Sequence, residues 1–233
     1  RHVDLSYVDQ NTPVVVYDED WQNNRQRVEV NVLKKEKDTD RTLEGAVFGL
    51  YAKEDIKSET TGKVLIEADE IIELKSTDQD GKITFAANLP VGVAYYIKEL
   101  YAPDGFVTND EVEEFTFDYA GEDQPTVTYD FTFENQPTVV EFTKSSLTTG
   151  KELPGCKLKV VDAEGNVVDE WTSGKEAHVI RELTVGKEYT LIETKPADGY
   201  VTAESVKFTI EDTADIQKVE MKDDVPTATL IVN

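Results

Sequence analysis

A lysine among alternating valines is the first feature of this chain with chemical content. Residues two apart in an extended strand share a face. In RVEVNVLK the side chains of Val28, Val30, Val32 and Lys34 therefore point one way, and those of Glu29, Asn31, Leu33 and Lys35 the other. The spacing directs Lys34 at a core and Lys35 at solvent. Val140, Phe142 and Lys144 repeat the pattern against Glu141 and Thr143. A core-facing ammonium needs a partner, and the same parity supplies two. Tyr95, Ile97 and Glu99 align, as do Tyr189, Leu191 and Glu193; Phe131, Phe133 and Asn135 share a face, as do Val219, Met221 and Asp223, with Asp224 outward. Such a triad is either a buried, hydrogen-bonded ion pair or a reactive set, because desolvation favours a neutral and hence nucleophilic amine. Parity leaves both open.

The elements that position these residues recur along the chain. The stretch from Lys34 to Phe48, KKEKDTDRTLEGAVF, aligns with KSSLTTGKELPGCKL from Lys144 to Leu158. YYIKELYAPDGFVT at Tyr95 to Thr108 aligns more closely with YTLIETKPADGYVT at Tyr189 to Thr202. Each copy closes in an alternating strand, TYDFTFENQP or IQKVEMKDDVP. The repeat predicts a unit over 27–138 and another over 139–233. VVVYDEDWQNNRQ, ending at Gln26, matches a closing strand, so 1–26 reads as the tail of a preceding domain. Asn23 is its orphan acceptor, and ATLIVN leads toward a following domain.

Period-two alternation in RVEVNVLK, TVTYDFTF and VKFTIED, punctuated by hairpin signals at TDQDGK and DAEGNV, predicts an all-β chain of tandem immunoglobulin-like sandwiches with antiparallel sheets. IEADEIIELK, from Ile66 to Lys75, fits a helical turn and a strand equally well. The insertion Glu54 to Glu73 belongs to the first unit alone. The short NQPTVVEF connection predicts a stiff, end-to-end arrangement.

The order of an inward Lys, an LxGAxF-like turn, KE or ET before a Pro/Gly turn, and a closing ENxP or MxD resembles the collagen-adhesin B-type domains of Gram-positive surface proteins and pilins. The resemblance covers nearly the whole chain and implies a prealbumin-like sandwich in which the first-strand Lys bonds to an Asn or Asp of the last strand. It places isopeptide cross-links at Lys34–Asn135 and Lys144–Asp223, with Glu99 and Glu193 as the promoting acids. A protonated Glu99 is then expected to hydrogen-bond the amide oxygen of Asn135. Cys156 departs from the family's preferred Ala, and Asp223 is the Asp variant of the acceptor.

Composition bounds the rest. A formal net charge of -24 repels phosphate backbones and anionic headgroups, so neither nucleic-acid nor membrane-surface binding is expected, and with no apolar run near the roughly 20 residues that span a bilayer, nor is membrane insertion. Cys156 is the only cysteine, which excludes an intrachain disulfide, and its strand parity predicts an inert buried thiol. Asp78-x-Asp80-Gly81 begins like a calcium loop but has Leu89 at the twelfth position, so a hairpin turn is expected. His2 and His178 belong to no ligand-spaced cluster and read as solvent or turn positions. Neither a metal nor a cofactor is expected, and Ser145 and Ser146 lie in no hydrolase-like setting. The chain reads as a non-enzymatic stalk or shaft segment on the bacterial cell surface, monomeric, with its array neighbours as partners and any host surface or matrix ligand engaged through another domain. The alternatives are an adhesive module in its own right and a spacer of a secreted enzyme.

Overall fold

The computed structural model describes residues 25–226. Asn23, His2 and the closing ATLIVN lie outside the described residues, and with them the readings made of both ends. Within that range every regular element is a strand, and no helix is long and apolar enough to cross a membrane.

The first group of strands comprises β1 (Arg27–Glu36), β2 (Val47–Ala52), β3 (Ile56–Lys57), β4 (Val64–Ile66), β5 (Ile71–Ser76), β6 (Lys82–Phe85), β7 (Val93–Tyr101), β8 (Val112–Phe117) and β9 (Thr126–Asn135). They form a sheet of order β6-β1-β9 facing one of order β5-β2-β7-β8, with β3 and β4 as a separate hairpin. Their inward side chains, Val28, Val30, Val32, Phe48, Leu50, Phe85, Tyr95, Ile97, Phe117 and Phe133 among them, make one continuous core. Fully burying a side chain of this size contributes about 1.5–3 kcal/mol.

The second group comprises β10 (Val139–Ser146), β11 (Lys157–Val161), β12 (Val167–Thr172), β13 (His178–Arg181), β14 (Glu188–Lys195), β15 (Val206–Thr209) and β16 (Gln217–Asp223). Its sheets, β13-β10-β16 and β12-β11-β14-β15, repeat the arrangement around Val140, Phe142, Leu158, Val160, Leu191 and Met221.

One expectation is corrected. The sheets are mixed, because the first and last strands of each group, β1 with β9 and β10 with β16, are parallel neighbours. Period-two alternation is the same in either orientation, so only the topology decides it. A parallel pair needs a long crossover, and the intervening strands of the unit supply one. The ambiguous IEADEIIELK resolves as strand, turn and strand, with Asp69 at φ 63 between β4 and β5. Short polar side chains are the non-glycine residues that best tolerate this conformation.

The junction between the groups is hydrogen-bonded on both sides. Buried Thr138 donates its N–H to Gly105 O (2.9 Å) and its hydroxyl to Leu183 O (2.7 Å), and accepts from Glu182 N–H (3.0 Å). Gly105 is required there: at φ +87, a Cβ would stand 2.6 Å from the carbonyl oxygen of Glu182. Arg41 reaches across to both carboxylate oxygens of Glu182, at 2.5 and 3.1 Å, and lies over the ring of Phe106. The short linker is thus held by both units.

Candidate functional site: two buried Lys–Glu–acceptor triads

Lys34 stands opposite Phe133 in the parallel ladder, so Asn135, two residues on, projects from the same face. Lys144 stands opposite Met221, and Asp223 has the same offset. Glu99 on β7 and Glu193 on β14 approach from the facing sheet. The backbone around each lysine is pinned: Leu43 and Leu153 donate their N–H groups to the carbonyls of Lys34 and Lys144 at 3.0 and 2.7 Å.

In the first triad Lys34 Nζ donates to Asn135 Oδ1 and lies 3.1 Å from Glu99 Oε1. Asn135 Nδ2 donates to both Glu99 oxygens, at 3.0 and 2.9 Å. Lys34, Glu99 and Asn135 are 0%, 5% and 1% exposed, so solvent does not share these contacts. Phe48 and Phe133 present their rings to the Lys34 ammonium, at 5.5 and 5.9 Å. Burial pushes the Lys34 amine below its ordinary range, against the opposing charge of Glu99. The expected contact between Glu99 and the amide oxygen is not the one found. An ionised carboxylate can only accept, so the carboxamide turns its nitrogen toward Glu99 and its oxygen toward the ammonium.

In the second triad Lys144 Nζ donates to Asp223 Oδ1 and lies 3.1 Å from Glu193 Oε1. Burial pushes the Asp223 carboxyl above its ordinary range; Lys144 opposes this and Glu193 reinforces it. Cys156 is fully buried with Sγ 3.8 Å from Asp223 Oδ2, and burial raises its thiol. Ligand atoms of Cys156, Glu193 and Asp223 converge within 4.8 Å as in a metal site. The Lys144 ammonium, bonded to one of these carboxylates and in ion-pair contact with the other, already supplies the cation there.

Backbone groups complete both sites, and side-chain reasoning missed them. Asn109 N–H donates to Glu99 Oε2 and Ala203 N–H to Glu193 Oε2, each at 2.8 Å. Val107 N–H donates to Gln136 O (2.9 Å) and Val201 N–H to Asp224 O (3.1 Å), directly after each acceptor. The one signal was the repeated DGFVT and DGYVT, which reads as a turn. Elsewhere, His178 is not a free turn residue. It opens β13, stacks on Trp171 at 4.1 Å between ring centroids and bonds Asp169 Oδ2 at 2.7 Å. Asp78 Oδ1 accepts the N–H groups of Asp80 and Lys82 at 2.9 Å, as a hairpin turn does.

Fold and site together define tandem all-β sandwich domains with one sealed Lys–Glu–acceptor triad apiece. The chain belongs to the SpaA prealbumin-like fold domain family, whose model matches residues 28–134 and again 138–225. No curated protein matches the chain. Among solved structures it is similar to the Bacillus anthracis TIE protein, with 25% identity and a TM-score of 0.52 over 85% of this chain and 34% of that one. The chain thus spans about a third of the length of that protein. The shaft pilin spaA from Lactobacillus rhamnosus GG gives 16% identity over 88% of this chain and 99% of that one, with a TM-score of 0.37. The Streptococcal ancillary pilin gives 22% over 87% and 64%, with a TM-score of 0.36. Both superpose too loosely to bear on function.

Proposed function

We propose that the chain is a stalk or shaft segment of a cell-wall-anchored adhesin or pilin on a Gram-positive surface, with each unit locked by an isopeptide bond, Lys34–Asn135 and Lys144–Asp223. The observation that carries this reading is the recurrence of a dry triad, in one register, between the first and last strands of both units.

In the first unit Glu99 Oε1 takes a proton from Lys34 Nζ, and the freed amine attacks Cγ of Asn135. The bond from Cγ to the carboxamide nitrogen breaks, Glu99, which faces that nitrogen, returns the proton as ammonia leaves, and the second proton shed by Nζ as the amide forms passes to Glu99, which ends protonated. In the second unit the amine of Lys144 attacks Cγ of a protonated Asp223, a C–O bond breaks, water leaves with a proton delivered by Glu193, and Glu193 takes back the proton that Nζ sheds as the amide forms. The fold contributes proximity and desolvation. Each reacting pair is consumed once, so the chain is no turnover enzyme.

The cross-links shortcut 101 residues in the first unit and 79 in the second. By analogy with disulfides, closing a loop of about 100 residues removes denatured-state entropy worth about 4–5 kcal/mol. Tension entering at the first strand and leaving at the last then runs through a covalent path. Neighbouring domains of the array are the partners on this reading, and the acidic surface keeps the stalk away from polyanions. The adhesive-module reading has Leu65, Ile71 and Leu74, exposed on and beside the insertion, in its favour; it leaves both triads without a purpose.

Intact-protein mass spectrometry tests the proposal. Two bonds predict a deficit of about 35 Da, from one ammonia and one water, with Glu99→Ala and Glu193→Ala each restoring its own share. An unmodified wild-type mass overturns it.

A further inference from the structure

The loops that follow β7 and β14 superimpose in chemistry as well as in sequence. Phe106 and Tyr200 donate their N–H groups to Pro103 O and Ala197 O, both at 3.1 Å, closing a turn whose glycine, Gly105 or Gly199, sits at φ +87 or +86. Beyond the turn the chain makes the same two contacts in each unit. Val107 or Val201 ties the backbone just past the acceptor, and Asn109 or Ala203 ties Oε2 of the glutamate. One short loop therefore grips both the acceptor strand and the acid.

The two oxygens of each glutamate consequently differ. Oε2 is anchored by a backbone N–H at 2.8 Å, whereas Oε1 faces the lysine Nζ at 3.1 Å. In the second unit Oε1 is buried without any hydrogen bond of good geometry. That oxygen is committed to no other donor, and the anchored partner oxygen keeps it aimed at the amine. The residue at the anchor differs between the units, Asn109 against Ala203, while the N–H is common to both, which identifies the backbone as the working group.

We infer that the loops ending at Asn109 and Ala203 are the positioning elements of cross-linking: a backbone N–H fixes Oε2 so that Oε1 alone exchanges protons with the lysine. This rests on the cross-linking reading above. In the second unit, where no carboxamide shares the task, loss of the N–H leaves both Glu193 oxygens to compete for the ammonium, so proton transfer to the correct oxygen becomes a minority event; in the first unit Asn135 Nδ2 also holds the carboxylate.

The test uses the whole chain, with the first unit as an internal standard. Wild type, Ala203→Pro and Ala203→Gly are isolated unlinked in urea and refolded by dilution, and the losses of about 17 and 18 Da are followed over time and assigned to each unit by peptide mapping. Ala203→Pro deletes the N–H and Ala203→Gly keeps it. An amide-to-ester replacement at residue 203 deletes the N–H without a ring and covers the event that proline prevents folding. The expected result is cross-linking of the second unit slowed on the order of ten- to a hundredfold, the effect of losing one hydrogen bond to a charged group, in the proline and ester variants. The glycine variant should match wild type, and the first unit should be unchanged throughout. A role confined to folding would slow the glycine and ester variants no more than wild type. If wild type links and the ester variant links at the same rate, the positioning role is overturned; if wild type does not link at all, the cross-linking reading itself is overturned.

Discussion

Glu193 Oε1 lies 3.1 Å from Lys144 Nζ, within ion-pair distance but outside hydrogen-bond geometry. The first unit has the same 3.1 Å separation, but there a second donor reaches the acid. In the first unit the carboxamide of Asn135 offers two donors to Glu99, and the ionised triad is neutral as a whole. In the second unit Asp223 has no donor when ionised, and one ammonium faces two carboxylates.

On the cross-linking proposal, that difference predicts different pH dependences for the two bonds. The reactive state of the first unit, neutral Lys34 with protonated Glu99, holds the same number of protons as its ionised ground state. Its rate is therefore expected to show no dependence on pH over the range in which the triad keeps that proton count. The second unit, with neutral Lys144 and both carboxyls protonated, needs one more proton than the fully ionised set. Burial raises the Asp223 carboxyl, so the proton is acquired above the ordinary aspartate range, and the rate rises as pH falls from neutrality toward it. Refolding at a series of pH values, read by mass for each unit, checks the contrast. Asp223→Asn should abolish the slope in the second unit and change its loss from about 18 to about 17 Da.

On the same proposal, removing the lysine should cost more than losing the cross-link alone. Lys34→Met leaves Glu99 buried with its positive partner gone, and breaking a buried pair from one side costs about 3–5 kcal/mol. The double variant Lys34→Met/Glu99→Gln also lacks the bond but carries no orphaned charge, and should regain much of that loss. Urea unfolding followed in the first unit, with both variants compared against Glu99→Ala, measures the difference. Equal stability of the single and double variants would mean that Glu99 simply takes up a proton when Lys34 is absent.

At the junction, two substitutions separate backbone fit from charge. Gly105→Ala puts a Cβ 2.6 Å from Glu182 O at a φ of +87, so the contact between the units must open or the loop must distort. The expected outcome is independent thermal transitions for the two units and a broader distribution of end-to-end distances in small-angle scattering. Arg41→Ala removes an ion pair whose side chains are 50% and 36% exposed. Such pairs are worth about 0–1 kcal/mol, so this variant should leave the scattering close to wild type.

Much of the site was legible because strand parity acts on one residue at a time. The faces carrying Lys34 and Lys144, Glu99 and Glu193, Asn135 and Asp223 follow from counting by two among apolar neighbours. Parity is silent on which strands lie side by side, so the parallel pairing of β1 with β9 came only with the structure. The anchoring N–H groups of Asn109 and Ala203 left no mark in residue type, since every residue but proline carries one. The orientation of the Asn135 carboxamide depends on the charge of Glu99, which a sequence does not record. Asp169 as the partner of His178 is a contact between adjacent edge strands of different sheets and has no local pattern.

Cys156 provides the last prediction. Its Sγ lies near Asp223, close enough to invite a role in the chemistry, but the thiol is fully buried and burial raises its pKa, so little thiolate forms. Ala46, also fully buried, occupies the aligned position in the first unit, which shows that the site geometry tolerates a methyl group there. Cys156→Ala should therefore retain the mass deficit of the second unit and cost about 1–2 kcal/mol through the small cavity it leaves. In the wild type a maleimide should label Cys156 only after denaturation. Labelling of the folded chain, or loss of the cross-link in Cys156→Ala, would make the thiol a participant and change the assignment of the acid in that unit.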